Sequence, residues 1–170
     1  MFTSTKRRRT VFEDEQSLST ANLSKPIGRE DEIDQIADAV RPLSRGHEAD
    51  NLLVHGPAGT GKTTCINHVL NKLDEQTRVR TVTINCWKYN TRPSLLTQLL
   101  IELDYPAPRK GKPIDELLTA LKERVDKGTS VAEGLDEFDQ LAEQNEVLYD
   151  LHELNVQTES CCGMVLASNK

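Results

Sequence analysis

Long apolar runs and aromatic residues are both scarce in this chain. Aromatic residues make up 4% of its 170 positions, and no run approaches the roughly 18 apolar residues that a membrane helix requires. The N-terminus also lacks the apolar stretch of a secretory signal. The sequence therefore predicts a cytoplasmic protein with no membrane contact.

Paired cysteines and a basic surplus are missing as well. The 4 cysteines form no C-x-x-C pair and have no metal-ligand spacing with the histidines, so reduced thiols that pack in the core are expected. A net charge of −6 argues against a surface that binds nucleic acid by charge alone. Two local basic runs, residues 6–9 and 109–112, are either phosphate contacts or solvated segments, and charge runs are usually solvated.

What is present is the composition of one ordinary globular domain. Hydrophobic residues make up 36% and charged residues 28% of the chain, and its length is enough for a domain with a core. Residues 1–22 are polar and lack helical or strand periodicity, so they are predicted to be a disordered basic arm. The folded domain is expected to occupy residues 23–170.

The segment 56–63 reads Gly-Pro-Ala-Gly-Thr-Gly-Lys-Thr and matches G-x-x-x-x-G-K-[ST]. Its glycines let successive backbone N–H groups point at phosphates, Lys62 can neutralise the β and γ oxygens, and the Thr63 hydroxyl can ligate Mg²⁺. An apolar strand at 51–55 precedes the loop and a helical apolar repeat follows it, so the helix N-terminus adds partial positive charge. A chance Gly-rich turn is the alternative, which both flanks disfavour. The predicted nucleotide-binding residues are Gly56, Pro57, Ala58, Gly59, Thr60, Gly61, Lys62, Thr63 and Thr64.

Strands and helices alternate along the rest of the chain. A helix is predicted at 31–43, strands at 79–85, 131–135 and 163–168, two helices that begin near Pro93 and Pro113, and a helix around 147–154. This alternation predicts an α/β fold in which a parallel sheet is covered by helices on both faces. Ligand chemistry is expected at the carboxyl ends of the strands.

A second chemical signal is the acidic pair at the end of the strand 131–135. Asp136 can hold Mg²⁺, and Glu137 can orient or activate an attacking water. The alternative is a surface acidic pair that opens a helix, with Asp139 in the same first turn; the phosphate loop favours the catalytic interpretation. Asn169, at the tip of the last strand, could hydrogen-bond the γ-phosphate or the water, although an asparagine there is more often a turn residue.

In this order the motifs resemble those of the archaeal replication initiators of the AAA+ class, which are related to the eukaryotic origin recognition complex subunit one and cell-division-cycle protein six. The likeness runs from about Pro26 to Lys170. Residues 56–63 resemble the Walker A motif, 135–139 the Walker B motif, and 168–169 sensor 1. The segment 26–30 is similar to the part of the family that borders the adenine, which assigns Ile27 and Arg29 to nucleotide binding.

The resemblance implies ATP and Mg²⁺ as cofactors, ATP or ADP as bound nucleotide, and slow hydrolysis. It also implies assembly on origin DNA to help load the replicative helicase. In the family an extra helical segment between the second and third strands approaches DNA, and residues 92–112 correspond to it.

The sequence departs from the family pattern in three ways. Glu133 and Gly134 interrupt a strand that is normally apolar, and because a buried carboxylate is costly and glycine weakens strands, this predicts a distorted strand or a displaced register. The sequence stops just after the sensor 1 strand, so a truncated AAA+ domain without lid, arginine finger or winged helix is expected. The family strand order 5-1-4-3-2 would then leave the first strand as an open edge, which invites pairing with another chain and predicts marginal stability.

Three functions are consistent with these observations. The first is an initiator-type ATPase that binds ATP with Mg²⁺ weakly and hydrolyses it poorly, because an arginine finger contributes about 10³–10⁵ to turnover where it has been measured. The second is a non-catalytic paralogue that regulates a full-length initiator, or self-associates, through the open sheet edge. The third is a fragment without a function of its own. Origin DNA and the replicative helicase are expected partners only through a full-length relative.

Overall fold

The computed structural model describes residues 26–106, 111–126 and 129–170. The predictions for the arm 1–22 and for Arg109 and Lys110 lie outside these residues. The α-helices of the described part are α1 Glu30–Val40, α2 Lys62–Gln76, α3 Arg92–Glu102, α4 Ile114–Val125 and α5 Gln144–Gln157. The strands are β1 Leu52–His55, β2 Arg80–Asn85, β3 Val131–Asp136 and β4 Cys162–Ser168, and short 3-10 turns cover Arg41–Arg45 and Phe138–Gln140.

The strands form one four-stranded sheet in the order β1-β4-β3-β2. Every pairing is parallel, so the predicted α/β class and the predicted order of these strands are confirmed. Residues 56–63 follow β1, Asp136 ends β3 and is followed by Glu137, and Asn169 follows β4. The topology therefore brings all three sequence motifs to one edge of the sheet.

The sheet is covered on both faces, as the alternation of elements predicts. On one face α1 and α2 pack against β3 and β4 through side chains that include Ile36, Leu70 and Val165. On the other face α3, α4 and α5 form the larger core cluster with β2, β3 and β4. These two apolar layers hold the central strands rigidly beneath the site.

Side-chain hydrogen bonds define where helix α3 begins and hold it against helix α5. The Thr91 side chain accepts a hydrogen bond from the Ser94 backbone while the Ser94 side chain caps the Thr91 backbone, a reciprocal capping box. Arg92 donates to both carboxylate oxygens of the buried Asp150 on α5, at 2.6 and 2.7 Å. This two-point ion pair ties α3 to α5.

The prediction that Glu133 and Gly134 distort their strand is wrong. β3 pairs in continuous register with both neighbours, and Glu133 lies opposite Val82 on β2 and Met164 on β4. Glu133 is only 1% exposed, and burial raises the pKa of its carboxyl to about 8. The group is therefore protonated at neutral pH, and the strand does not have to accommodate a charge.

Gly134 lies on the opposite face of β3, directly beneath helix α2. A Cβ atom there would come within 2.8 Å of Leu70 Cδ1 and 3.2 Å of Ile66 Cγ2. The absence of a side chain thus allows α2, the helix that begins at the phosphate loop, to approach the strand that ends in Asp136. The glycine that looked like a weakness in the strand is thus the residue that fits this close approach of α2.

Candidate nucleotide site

The loop 56–61 connects the end of β1 to the first residue of α2. Gly59 and Gly61 have φ angles of 77° and 87°, in the left-handed region that only glycine adopts without strain. The Thr60 hydroxyl donates to the Pro57 carbonyl at 2.8 Å and closes the loop. The Gly56 N–H donates to the Ser168 carbonyl at the end of β4, at 3.3 Å. The phosphate-loop residues are thus arranged as a compact turn at a helix N-terminus.

Lys62, the first residue of α2, extends back over this loop. Its Nζ donates to the carbonyl oxygens of Gly56 and Pro57, each at 2.8 Å, and lies 3.5 Å from the Thr60 hydroxyl. The ammonium group therefore sits within reach of anything bound in the loop. Phosphate oxygens would be stronger partners than neutral carbonyls because they carry charge.

Thr63 and Asp136 meet although they are far apart in sequence. The Thr63 hydroxyl, in the first turn of α2, donates to Asp136 Oδ2 at the end of β3 across 2.8 Å. A hydroxyl and a carboxylate are hard oxygen donors of the kind that Mg²⁺ takes, together with water and substrate phosphates. These two residues fit a magnesium ion bound beside the loop.

Glu137 occupies a strained turn just after Asp136. Its φ of 50° is in the left-handed region, which is uncommon for a residue with a side chain. The backbone is held there because the Glu137 N–H donates to Asp136 Oδ1 at 2.9 Å and the Gln140 N–H donates to the Glu137 carbonyl at 2.9 Å. Strain of this kind persists where surrounding contacts fix it and is common at functional sites.

Asn169 is fixed by a residue to which sequence analysis gave no catalytic role. Its backbone N–H donates to Asp139 Oδ1 at 3.0 Å, and this bond is the main reason that the pKa of Asp139 is lower than usual. The sequence pattern at Asp139 is that of an ordinary acidic first turn. Its spacing, three residues after Asp136 in Leu-Asp-Glu-Phe-Asp, is the signal that could have singled it out.

The electrostatics of this edge favour a cation. The thiol of Cys86, which follows β2, has its pKa raised to about 12, first by burial and then by the charges of Asp136, Glu137 and Asp139. Several carboxylates therefore converge near one point at the ends of the strands. A divalent cation bound here would relieve their mutual repulsion.

Of the two residues assigned to the adenine side, Arg29 contacts the phosphate loop and Ile27 is exposed. Arg29 donates a hydrogen bond to the Thr60 carbonyl in the phosphate loop, and its Nη1 pairs with Glu32 at 2.9 Å. Ile27 is 96% exposed, so its side chain is not packed against the loop. Pro57, Ala58 and Thr64 are exposed at the loop and at the start of α2.

The sheet is parallel, the loop stands at a helix N-terminus, and a carboxylate at the end of β3, separated from β1 by β4, contacts Thr63. Together these features define a P-loop nucleoside triphosphatase fold. The family model for the AAA ATPase domain matches residues 25–154. The chain belongs to this family, whose members generally use a nucleotide and Mg²⁺. Within the family its likeness is to the archaeal ORC1/Cdc6-type initiators, as the motifs indicated.

Two similar proteins from archaea show the likeness to ORC1-type initiators. ORC1-type DNA replication protein 9 of Halobacterium salinarum is 35% identical over 129 residues, which cover 74% of this chain and 36% of the relative. ORC1-type DNA replication protein 1 of Archaeoglobus fulgidus is 30% identical over 170 residues, covering 94% of this chain and 42% of the relative. The chain thus spans about two fifths of the length of these relatives.

A solved structure supports the fold. The Aeropyrum pernix ORC1 protein, solved in complex with DNA, superposes with a TM-score of 0.78 at 22% identity, over 96% of this chain and 43% of that one. The fold assignment is confirmed. Among the residues that the structure describes, no helix is long and apolar enough to cross a membrane.

Proposed function

We propose that this chain binds ATP together with Mg²⁺, as the nucleotide-binding part of an ORC1/Cdc6-type AAA+ protein of DNA replication. The observation that carries the proposal is the 2.8 Å contact between Thr63 and Asp136 beside the loop that Lys62 spans. Residues from two distant segments form a set of phosphate and Mg²⁺ partners in one place. A Gly-rich turn with no function would not require that convergence.

The roles follow from the donors available. Backbone N–H groups of residues 56–63 and the Lys62 ammonium hold the phosphates, while Thr63 and Asp136 hold Mg²⁺, which would neutralise charge between the β- and γ-phosphates. Glu137 orients a water, and Asn169 contacts the γ-phosphate. Arg29 supports the loop through Thr60, and Ile27 borders the adenine from an exposed position.

Hydrolysis is proposed to be slow, and DNA to be a partner of the larger assembly. Slow hydrolysis is what the likeness to ORC1/Cdc6-type initiators implies, and the site supplies Thr63 and Asp136 as ligands for Mg²⁺ and Glu137 as a carboxylate that orients water. The relatives are named as DNA replication proteins, and one similar structure was solved with DNA. Binding of origin DNA and of a replicative helicase is therefore proposed for an assembly that contains this domain.

The test is the Mg²⁺ dependence of ATP binding, measured by calorimetric titration with Mg²⁺ and with a chelator. The wild-type chain should bind ATP more tightly with Mg²⁺. Asp136→Asn should lose at least about tenfold of that gain, taking the contribution of one hydrogen bond to a charged group, roughly 1.5–3 kcal/mol, as the scale. Its affinity in chelator should stay near the wild-type value.

Asp115→Asn is the matched control, since Asp115 is an exposed residue in the first turn of α4. This variant should keep the full Mg²⁺ dependence. Equal affinities of the wild type with Mg²⁺ and with chelator would contradict the proposed metal site. Absence of ATP binding under both conditions would contradict the proposed function as a whole.

A second candidate function, an interaction module, is favoured by one observation. Within the part of the chain that the structure describes, β1 is at the edge of the sheet, and Leu53 in this strand is 54% exposed, a combination that supports pairing with another strand. If this edge mediates self-association, light scattering should give a dimer mass for the wild type that falls to the monomer mass for Leu53→Lys. A monomer at all concentrations would argue against this module.

A further inference from the structure

Asp139 is the one carboxylate of the site to which the proposed function gives no role. It lies in the 3-10 turn Phe138–Gln140, after Asp136 and Glu137. Its Oδ1 accepts the backbone N–H of Asn169 at 3.0 Å, and its Oδ2 accepts the side-chain amide of Gln140 at 2.8 Å. Both carboxylate oxygens of Asp139 therefore accept hydrogen bonds within the protein. This arrangement suits a role in holding the backbone better than a role in contacting an anionic phosphate.

The turn that carries Asp139 is itself held in place. The side-chain amide of Gln144, at the start of α5, donates to the carbonyl oxygens of Asp139 and Leu141, at 3.3 and 3.2 Å. The Leu141 N–H donates to the Phe138 carbonyl at 3.1 Å. Asp139 thus presents its carboxylate from a rigid turn, which is what a positioning residue requires.

Asn169, in contrast, lies one residue beyond the end of β4 and outside the hydrogen-bonded pairing of the sheet. β4 ends at Ser168, which pairs with His55 on β1, and on the β3 side the pairing ends earlier, at Leu166. The sheet ladder therefore does not fix the backbone of Asn169. The carboxylate of Asp139 supplies the acceptor that the sheet no longer provides.

We propose that Asp139 is a positioning residue that holds Asn169 where the γ-phosphate would lie, and so lets this chain distinguish ATP from ADP. This inference rests on the proposed nucleotide binding. Asn169 follows the strand whose last carbonyl accepts the Gly56 N–H at the start of the phosphate loop. The Lys170 N–H donates to the Ser168 hydroxyl at 3.1 Å across this turn, and the bond to Asp139 is the link that joins Asn169 to the Walker B turn. Loss of the hydrogen bond between Asp139 and Asn169 would leave the residues that hold the β-phosphate in place and would disturb only the contact between Asn169 and the γ-phosphate.

The test is the ratio of ATP to ADP affinity, measured by calorimetry with Mg²⁺ on the full chain. The wild type should prefer ATP. Asn169→Ala and Asp139→Ala should each reduce that preference by the same factor, roughly 10- to 100-fold for one hydrogen bond to a charged group, with ADP affinity unchanged. The double variant should lose no more than either single variant, and Asp139→Asn, which keeps an acceptor oxygen, should recover most of the preference.

A second measurement does not depend on nucleotide. Hydrogen exchange of the Asn169 amide, followed by NMR in the free chain, should be faster in Asp139→Ala than in the wild type and close to wild type in Asp139→Asn. Preserved ATP preference in both Asp139 variants, or an equal loss of ATP and ADP affinity in both, would overturn the positioning role. A wild type that binds neither nucleotide would instead overturn the proposed function, and with it this role.

Discussion

Lys62→Ala is expected to weaken ATP binding by about 100-fold or more while leaving the fold intact. In the structure the Lys62 ammonium makes 2.8 Å hydrogen bonds to two loop carbonyls, and bound phosphates would replace these neutral acceptors with charged oxygens. Each charge-assisted hydrogen bond contributes roughly 1.5–3 kcal/mol, so two of them correspond to at least about 100-fold in affinity. Calorimetric titration of ATP into both proteins measures the difference.

Two further variants test whether ATP binding depends on the geometry of the cation at position 62 or only on positive charge somewhere in the protein. Lys62→Arg keeps a cation but replaces a compact ammonium by a planar guanidinium, so its affinity should lie between those of the wild type and the alanine variant. Lys122→Ala removes an exposed lysine from α4 and should bind ATP like the wild type. Thermal unfolding should give similar midpoints for all of them. Equal ATP affinity in Lys62→Ala and the wild type would rule out the phosphate role of this loop.

The parts of the site that sequence analysis located are those whose requirements are local. Left-handed glycines, a lysine at the first helical position and a threonine after it must follow one another within residues 56–63, so their spacing is visible in the chain itself. The same holds for β1 and α2, whose apolar patterns adjoin the loop. The meeting of Thr63 with Asp136 could be anticipated because parallel strands end at one edge of the sheet.

The parts that sequence analysis missed depend on neighbours that are distant in the chain. Gly134 looked like a strand breaker because the approach of Leu70 on α2 cannot be read from β3 alone. Glu133 looked like a charge, although a layer of apolar side chains makes the neutral acid its stable form. The bond from Asn169 to Asp139 joins residues 30 positions apart, so the local spacing in 135–139 can mark Asp139 but cannot reveal its partner.

Glu133→Leu is expected to raise the free energy of unfolding by roughly 3 kcal/mol at pH 7, the order of magnitude that linkage gives for a carboxyl whose pKa rises from 4.5 to about 8 on folding. Neither carboxyl oxygen of Glu133 has a hydrogen-bond partner among the described residues, and burial raises its pKa from 4.5 to about 8. In the unfolded chain the group ionises near pH 4.5, so between pH 4.5 and 8 the native state retains a proton that the unfolded state releases. Wild-type stability should therefore fall as the pH rises, by about 1.4 kcal/mol per unit from this group. Urea unfolding at several pH values measures this slope.

Because other groups also titrate in this range, the informative quantity is the difference between variant and wild type at each pH. That difference should be smallest near pH 5 and grow up to about pH 8, where the native carboxyl also ionises. Glu133→Gln has nearly the same shape as the wild type but cannot ionise, so it should lose the pH dependence as well. That result would show that the slope comes from the proton of Glu133 and not from a change in packing.

Cys162 on β4 is a nearby titratable group. Burial, followed by the charge of Glu133, raises the pKa of its thiol further above neutrality, so the thiol stays protonated from pH 5 to 8. Parallel stability curves for wild type and Glu133→Leu from pH 5 to 8 would mean that the Walker B strand holds Glu133 in its charged form.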